Sequence, residues 1–118
     1  MDVKDIELRL DSTKIHPNSE IKGNVVVTYP GRYDGVVINI QILNSNELII
    51  YKSYNDKQIS QNVSRLFISK DSMPENKASF TAVIEFEPKE THDVKFRASI
   101  IEQHKEIESD VLFARFSA

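Results

Sequence analysis

The chain contains no cysteine and no tryptophan, and only three glycines and four prolines among its 118 residues. Without cysteine there is no disulfide, no thiolate nucleophile and no thiolate metal ligand, the usage expected of a reducing cytoplasm. Three glycines, Gly23, Gly31 and Gly35, do not make a phosphate-cradling loop, and no serine stands in Gly-x-Ser-x-Gly. Nucleotide-binding and nucleophile-elbow hydrolase chemistry therefore have no foothold. No segment approaches the ~18 apolar residues of a membrane-crossing helix, and Met1-Asp2-Val3-Lys4-Asp5 leads into patterned sequence without a basic-then-apolar leader. The expectations are no membrane insertion and a cytoplasmic location. An excess of one charge is lacking too: 15 Lys and Arg are interspersed with 18 Asp and Glu, a net charge of -3. Such a surface has no basic field with which to displace counterions from a nucleic acid.

What the chain does have is period-2 alternation nearly from end to end, the pattern that sends successive side chains to opposite faces of a sheet. Residues 6–10 point Ile6, Leu8 and Leu10 one way and charges the other; residues 20–29 align Ile21, Val25, Val27 and Tyr29. Residues 29–35 carry Pro-Gly and Asp-Gly and read as a loop, with glycine supplying a positive φ. Residues 35–43 alternate again, and Asn44-Ser45-Asn46 reads as a tight turn into residues 47–54, a β-hairpin. The polar residues 55–61 read as a loop; strands follow at 63–69, around Phe80, from Val94 to Ile101 and from Val111 to Phe116, and residues 100–108 form a hairpin connection rather than a helix. About eight such segments over one core predict an all-β, two-sheet antiparallel sandwich occupying residues 1–118 as a single domain.

Chemistry is sparse. His16, His92 and His104 are far apart, lack the spacings that bring two ligands together, and read as ordinary surface histidines. The acidic groups Glu85, Glu87, Glu90, Asp93 and Glu102, Glu106, Glu108, Asp110 flank turns, and alternation sends most of them outward. That favours a solvated surface over the paired carboxylates of a glycosidase, and no Asp-x-Asp-x-Asp-Gly calcium loop occurs. No catalytic residue, metal or cofactor is expected. Among the tyrosines, Tyr29 fits a core face, whereas Tyr33, between Pro-Gly and Asp-Gly, reads as an exposed contact residue.

The stretch Ile6-Glu7-Leu8-Arg9-Leu10-Asp11, followed by Ile15-His16-Pro17-Asn18-Ser19-Glu20-Ile21-Lys22-Gly23-Asn24-Val25-Val26-Val27, resembles the opening of an arrestin-like N-terminal domain. Asn18 stands where that family usually has glycine, a substitution the turn tolerates because Pro17 presets its first position and asparagine accepts positive φ at its second. The resemblance implies an immunoglobulin-like sandwich and a non-catalytic adaptor or scaffold in protein sorting or signalling, its partner another protein. The contact residues expected on that reading are Arg32 and Tyr33 in one loop, with Lys52, Tyr54 and Lys57 along a second edge. The alternative is an extracellular structural or carbohydrate- and calcium-binding sandwich that uses Tyr51, Tyr54 and the acidic loops. A weak homodimer through an uncovered sheet edge is a further expectation.

Overall fold

The computed structural model describes residues 4–118, and the start of the expected leaderless segment, Met1-Asp2-Val3, lies outside the described residues. Ten strands form among the described residues: β1 (Ile6–Leu10), β2 (Lys14–Ile15), β3 (Ile21–Val27), β4 (Gly35–Ile42), β5 (Ile50–Tyr54), β6 (Lys57–Asn62), β7 (Arg65–Ser69), β8 (Lys77–Val83), β9 (His92–Glu102) and β10 (Lys105–Phe116). They build two five-stranded sheets, ordered β1-β3-β8-β5-β6 and β2-β10-β9-β4-β7. The all-β two-sheet sandwich is thus the fold, antiparallel throughout except where β2 runs parallel to the end of β10.

The alternation seen in the sequence becomes the core. Val36, Ile38, Ile40 and Ile42 of β4 and Val94, Phe96, Ala98 and Ile100 of β9 point inward from one sheet. They meet Ile6, Leu8, Val25, Tyr51, Phe80 and Ala82 from the other. Because each fully buried large side chain contributes about 1.5–3 kcal/mol over leaving it exposed, this two-faced apolar layer holds the sheets together without a disulfide.

Three local expectations are corrected. Residues 35–54 are not a hairpin: β4 and β5 lie in different sheets, and the chain crosses between them with Ile49 buried as the pin. The actual hairpin is β5–β6, because Asn55 and Asp56 take positive φ of 46° and 66° and so form a turn whose twist suits two paired strands. Residues 57–62 are therefore an edge strand rather than part of a loop. Finally, no described glycine has positive φ; Gly35 starts β4 where a Cβ would lie 2.3 Å from the carbonyl oxygen of Ile68.

The turn before β3 behaves as its residues require. Asn18 takes φ 63°, and Ser19 N–H donates to His16 O at 3.2 Å. Gly23, four residues on, is needed for packing: a Cβ there would sit 2.3 Å from Phe80 Cζ. Gly23→Ala is accordingly expected to lower stability by about 1–3 kcal/mol, the usual cost of overfilling a packed site; a urea midpoint unchanged from the parent would show that the ring moves aside freely.

Candidate interaction surface

Of the five expected contact residues, Tyr33 is misplaced by the sequence reading. It is only 3 % exposed, its hydroxyl donates to Asn76 Oδ1 at 2.6 Å, and Lys70 Nζ lies 4.6 Å above its ring. Burial pushes its phenol pKa up. The ring is an anchor that ties the loop before β4 to the turn before β8. Arg32 beside it is exposed; Lys52 and Tyr54 are half-buried on β5, and Lys57 is exposed at the start of β6. Lys57 pairs with Tyr54 across the hairpin, its Nζ 5.7 Å from the ring centre. The β5–β6 turn reaches the same end of the sandwich as Tyr33, since the Asn55 side-chain amide donates to Ser72 O and its Oδ1 accepts from Ser79 N at 2.8 Å.

Other candidates also move. Tyr51 is fully buried, with its hydroxyl donating to Ser64 O at 2.8 Å and Ile38 O at 3.2 Å across the two sheets, so it stacks on no sugar. Burial raises its pKa far above the ordinary phenol value. His92 is not a surface histidine: it is buried, shares a hydrogen bond of 2.8 Å between Nδ1 and Leu43 O, and packs edge-on to Phe86. Among the described residues no group of three His, Asp or Glu is placed to hold a metal ion.

The acidic pair Glu108 and Asp110 is turned to a use that alternation did not show. Leu8 N–H points away from β3, and Asp110 Oδ2 accepts it at 2.9 Å; Glu108 Oε2 accepts Asp5 N–H at 3.0 Å, and Lys4 Nζ lies 3.1 Å from Asp110 Oδ1. The outer edge of β1 is thereby capped by side chains from the opposite sheet. The edge beyond β2 is only two residues long. The edge at β6 is all polar apart from Ile59, starts with Lys57, and follows a register shift in its pairing with β5, the devices that blunt strand edges.

The fourth edge is different. β7 pairs with β4 in unbroken register from Gly35↔Ser69 to Asn39↔Arg65 and carries no lysine, proline or bulge. Ile40 N–H donates to Ser64 O and Lys70 N–H to Asp34 O, so the even-numbered residues of this segment face β4. The N–H groups of Arg65, Phe67 and Ser69 and the C=O groups of Arg65 and Phe67 therefore face outward, away from any strand of the described residues, while the Ser69 C=O opens the 3-10 turn at Lys70–Ser72. Phe67 is 50 % exposed. With Val37 and Ile101 it lines a cavity of 430 Å³ rimmed by Asp34, Arg65 and His104. A larger hollow of 580 Å³ on the outer face of the other sheet is lined largely by polar side chains, among them Arg9, Asn24, Glu75 and Lys77. There Glu75 and Lys77 pair with each other, and no large apolar side chain is exposed.

On the same sheet, with β9 and β4 between it and β7, Glu106 of β10 accepts from Ser99 Oγ at 2.6 Å and from Arg97 Nε and Nη2 of β9 at 3.1 and 2.5 Å. The Ser99 hydrogen bond first, and then Arg97 and the field of Arg65, hold its carboxyl below the ordinary 4.5. A carboxylate with depressed pKa stabilises the fold fully above its unfolded value and loses that contribution as pH falls through the folded one. Glu106→Gln is therefore expected to flatten the fall in thermal midpoint below pH 4.5, an effect kept small by solvent screening of this exposed group. An unchanged acid limb would show that the cluster does not couple to folding.

No protein-family model matches the chain, and no curated protein matches it in sequence. Solved structures do match it in shape. A lipoprotein from Bacteroides thetaiotaomicron is 7 % identical, with a TM-score of 0.57 over 100 % of this chain and 83 % of that one. A conjugative transposon lipoprotein from Bacteroides eggerthii is 11 % identical, with a TM-score of 0.54 over 98 % and 100 %. The E. coli adhesin CfaE is 12 % identical, with a TM-score of 0.56 over 97 % of this chain and 49 % of its own. At these identities the likeness is one of fold.

The arrestin resemblance does not survive this comparison, for the neighbours are lipoproteins and an adhesin, and no arrestin appears among them. The motif that carried it has local causes instead: Pro17-Asn18 satisfies a turn, and Gly23 gives way to Phe80. The cytoplasmic expectation falls with it. That expectation rested largely on absent cysteine, and a core closed by apolar burial is stable without disulfides in any redox setting.

Proposed function

We propose that this chain is a non-catalytic binding domain that works outside the cytoplasm, as the neighbouring lipoprotein and adhesin structures suggest, and takes up an extended protein segment along β7. The observation that carries the reading is the open β7 edge with Phe67 exposed beside the Val37 and Ile101 cavity. Strand addition draws affinity from main-chain hydrogen bonds and specificity from alternate side chains. Of the four sheet edges, β7 alone offers both in unblunted form. The competing contact set is Arg32 in the loop before β4 and Lys52, Tyr54 and Lys57 on the β5–β6 hairpin, of which Tyr54 and Lys57 touch each other.

The test is selection of displayed peptides on the immobilised protein, followed by amide mapping of the binders. Peptides that shift the amides of Arg65, Phe67 and Ser69 and lose binding in Phe67→Lys support the reading. Binders that instead map to Arg32 and Lys57, or that survive Phe67→Lys, overturn it.

A further inference from the structure

Resting on the reading of β7 as the binding edge, we propose that the segment seated there is β7 of a second copy of this chain, paired antiparallel about a two-fold axis at Phe67. The outward main-chain groups belong to Arg65, Phe67 and Ser69, and their spacing is symmetric about the middle residue. Under a two-fold, Phe67 faces Phe67 and Arg65 faces Ser69 of the partner, giving about four main-chain hydrogen bonds, two between the Phe67 residues and one from each Ser69 N–H to the Arg65 C=O opposite. Ser69 keeps extended backbone, φ -65° and ψ 143°, so its N–H stays available to the ladder while its C=O starts the turn that ends β7.

The side chains agree with this register. No like charges stand opposite one another, whereas a one-step slip between the copies would set outward N–H and C=O groups against Leu66 and Ile68, whose own main-chain groups are turned to β4. Arg65, which has no ion pair among the described residues, would face the partner's Ser69, two residues from the exposed Asp71 on the turn that follows, so a positive group meets the side of the partner's edge that carries a free carboxylate. The two Phe67 rings would cover each other and the Val37 strip that each now leaves to water. A ladder of five residues is small, so the contact belongs with interfaces under about 1,200 Å² and forms as a fast, concentration-dependent dimer.

The absence of cysteine makes the test clean. Facing residues of such a ladder lie about 5.5 Å apart between Cα atoms, inside the range a disulfide spans. Phe67→Cys is expected to crosslink to dimer under mild oxidation at least about tenfold faster than Ser60→Cys on the β6 edge, by the logic of fixed proximity. Sedimentation of the parent chain over a concentration series is expected to show a monomer–dimer equilibrium that Phe67→Lys abolishes, with the urea midpoint of Phe67→Lys confirming that it folds. A parent that stays monomeric with equal crosslinking rates, faster crosslinking at Ser60→Cys, or a dimer indifferent to Phe67→Lys would each overturn self-pairing. Peptide selection on β7 reads the binding edge separately: peptides that bind β7 of a monomeric parent leave that edge standing and remove only the second copy as its occupant.

Discussion

Phe80→Ala is expected to lower the free energy of unfolding by about 3–5 kcal/mol, the range for deleting a buried phenylalanine whose site cannot collapse. Phe80 sits on β8, the middle strand of its sheet, with its ring edge-on to Tyr51 at 6.4 Å and the far end of the ring against Gly23. Backbone on one side and a hydrogen-bonded tyrosine on the other leave little that can move in to fill the space. Since domains of this size are stable by about 5–15 kcal/mol, the variant should lose a large share of its stability. The same geometry predicts strong non-additivity. Gly23→Ala destabilises the parent because its methyl meets the ring, but in Phe80→Ala that methyl enters the vacated space. The double variant should therefore be more stable than the sum of the two single losses, by an interaction energy on the order of 1–3 kcal/mol. A urea double-mutant cycle measures it, and simple additivity would show that the two residues do not contact in solution.

Asp110→Ala is expected to cost about 1.5–3 kcal/mol, the range for hydrogen bonds to a charged group. Its carboxylate accepts Leu8 N–H at 2.9 Å and pairs with Lys4 at 3.1 Å while only 17 % of the side chain is exposed. Removing it leaves an edge amide of β1 without its acceptor and breaks a link between the two sheets. Asp110→Asn keeps an acceptor but loses the charge, so its loss should be smaller. Hydrogen exchange at the Leu8 amide should accelerate in Asp110→Ala relative to amides of β9. If that amide stays protected, burial alone shields it and the carboxylate adds little to closing the edge.

The two variants differ in how much of their basis the sequence showed. Phe80 was legible as core, because Ala78, Phe80 and Ala82 alternate with polar residues and a strand face must be buried somewhere. Asp110 was read as solvated surface, since alternation tells which way a side chain leaves its own strand and nothing about what stands there. Its role depends on β1, distant in sequence, arriving beside β10. Tyr33 and His92 failed for the same reason: each sits at a turn by sequence and is covered by a segment from elsewhere in the chain. The one missed feature with a local signal was the β5–β6 hairpin, where Asn55-Asp56 is a residue pair suited to two consecutive positive φ values.

By itself, then, the sequence determined the all-β class, most strand positions, the inward faces and the turn at Pro17-Asn18. Period-2 burial and turn stereochemistry act over a few residues and leave their marks in order along the chain. Only the tertiary structure decided which sheet each strand joined, and hence which edges were capped by Glu108 and Asp110, blunted at β6, or left open at β7. Strand pairing is a choice among partners far apart in sequence, and every amphipathic strand satisfies the same alternation whichever neighbour it takes. The candidate binding edge belongs wholly to that choice: Phe67 is an ordinary alternating residue until β7 becomes the last strand of its sheet.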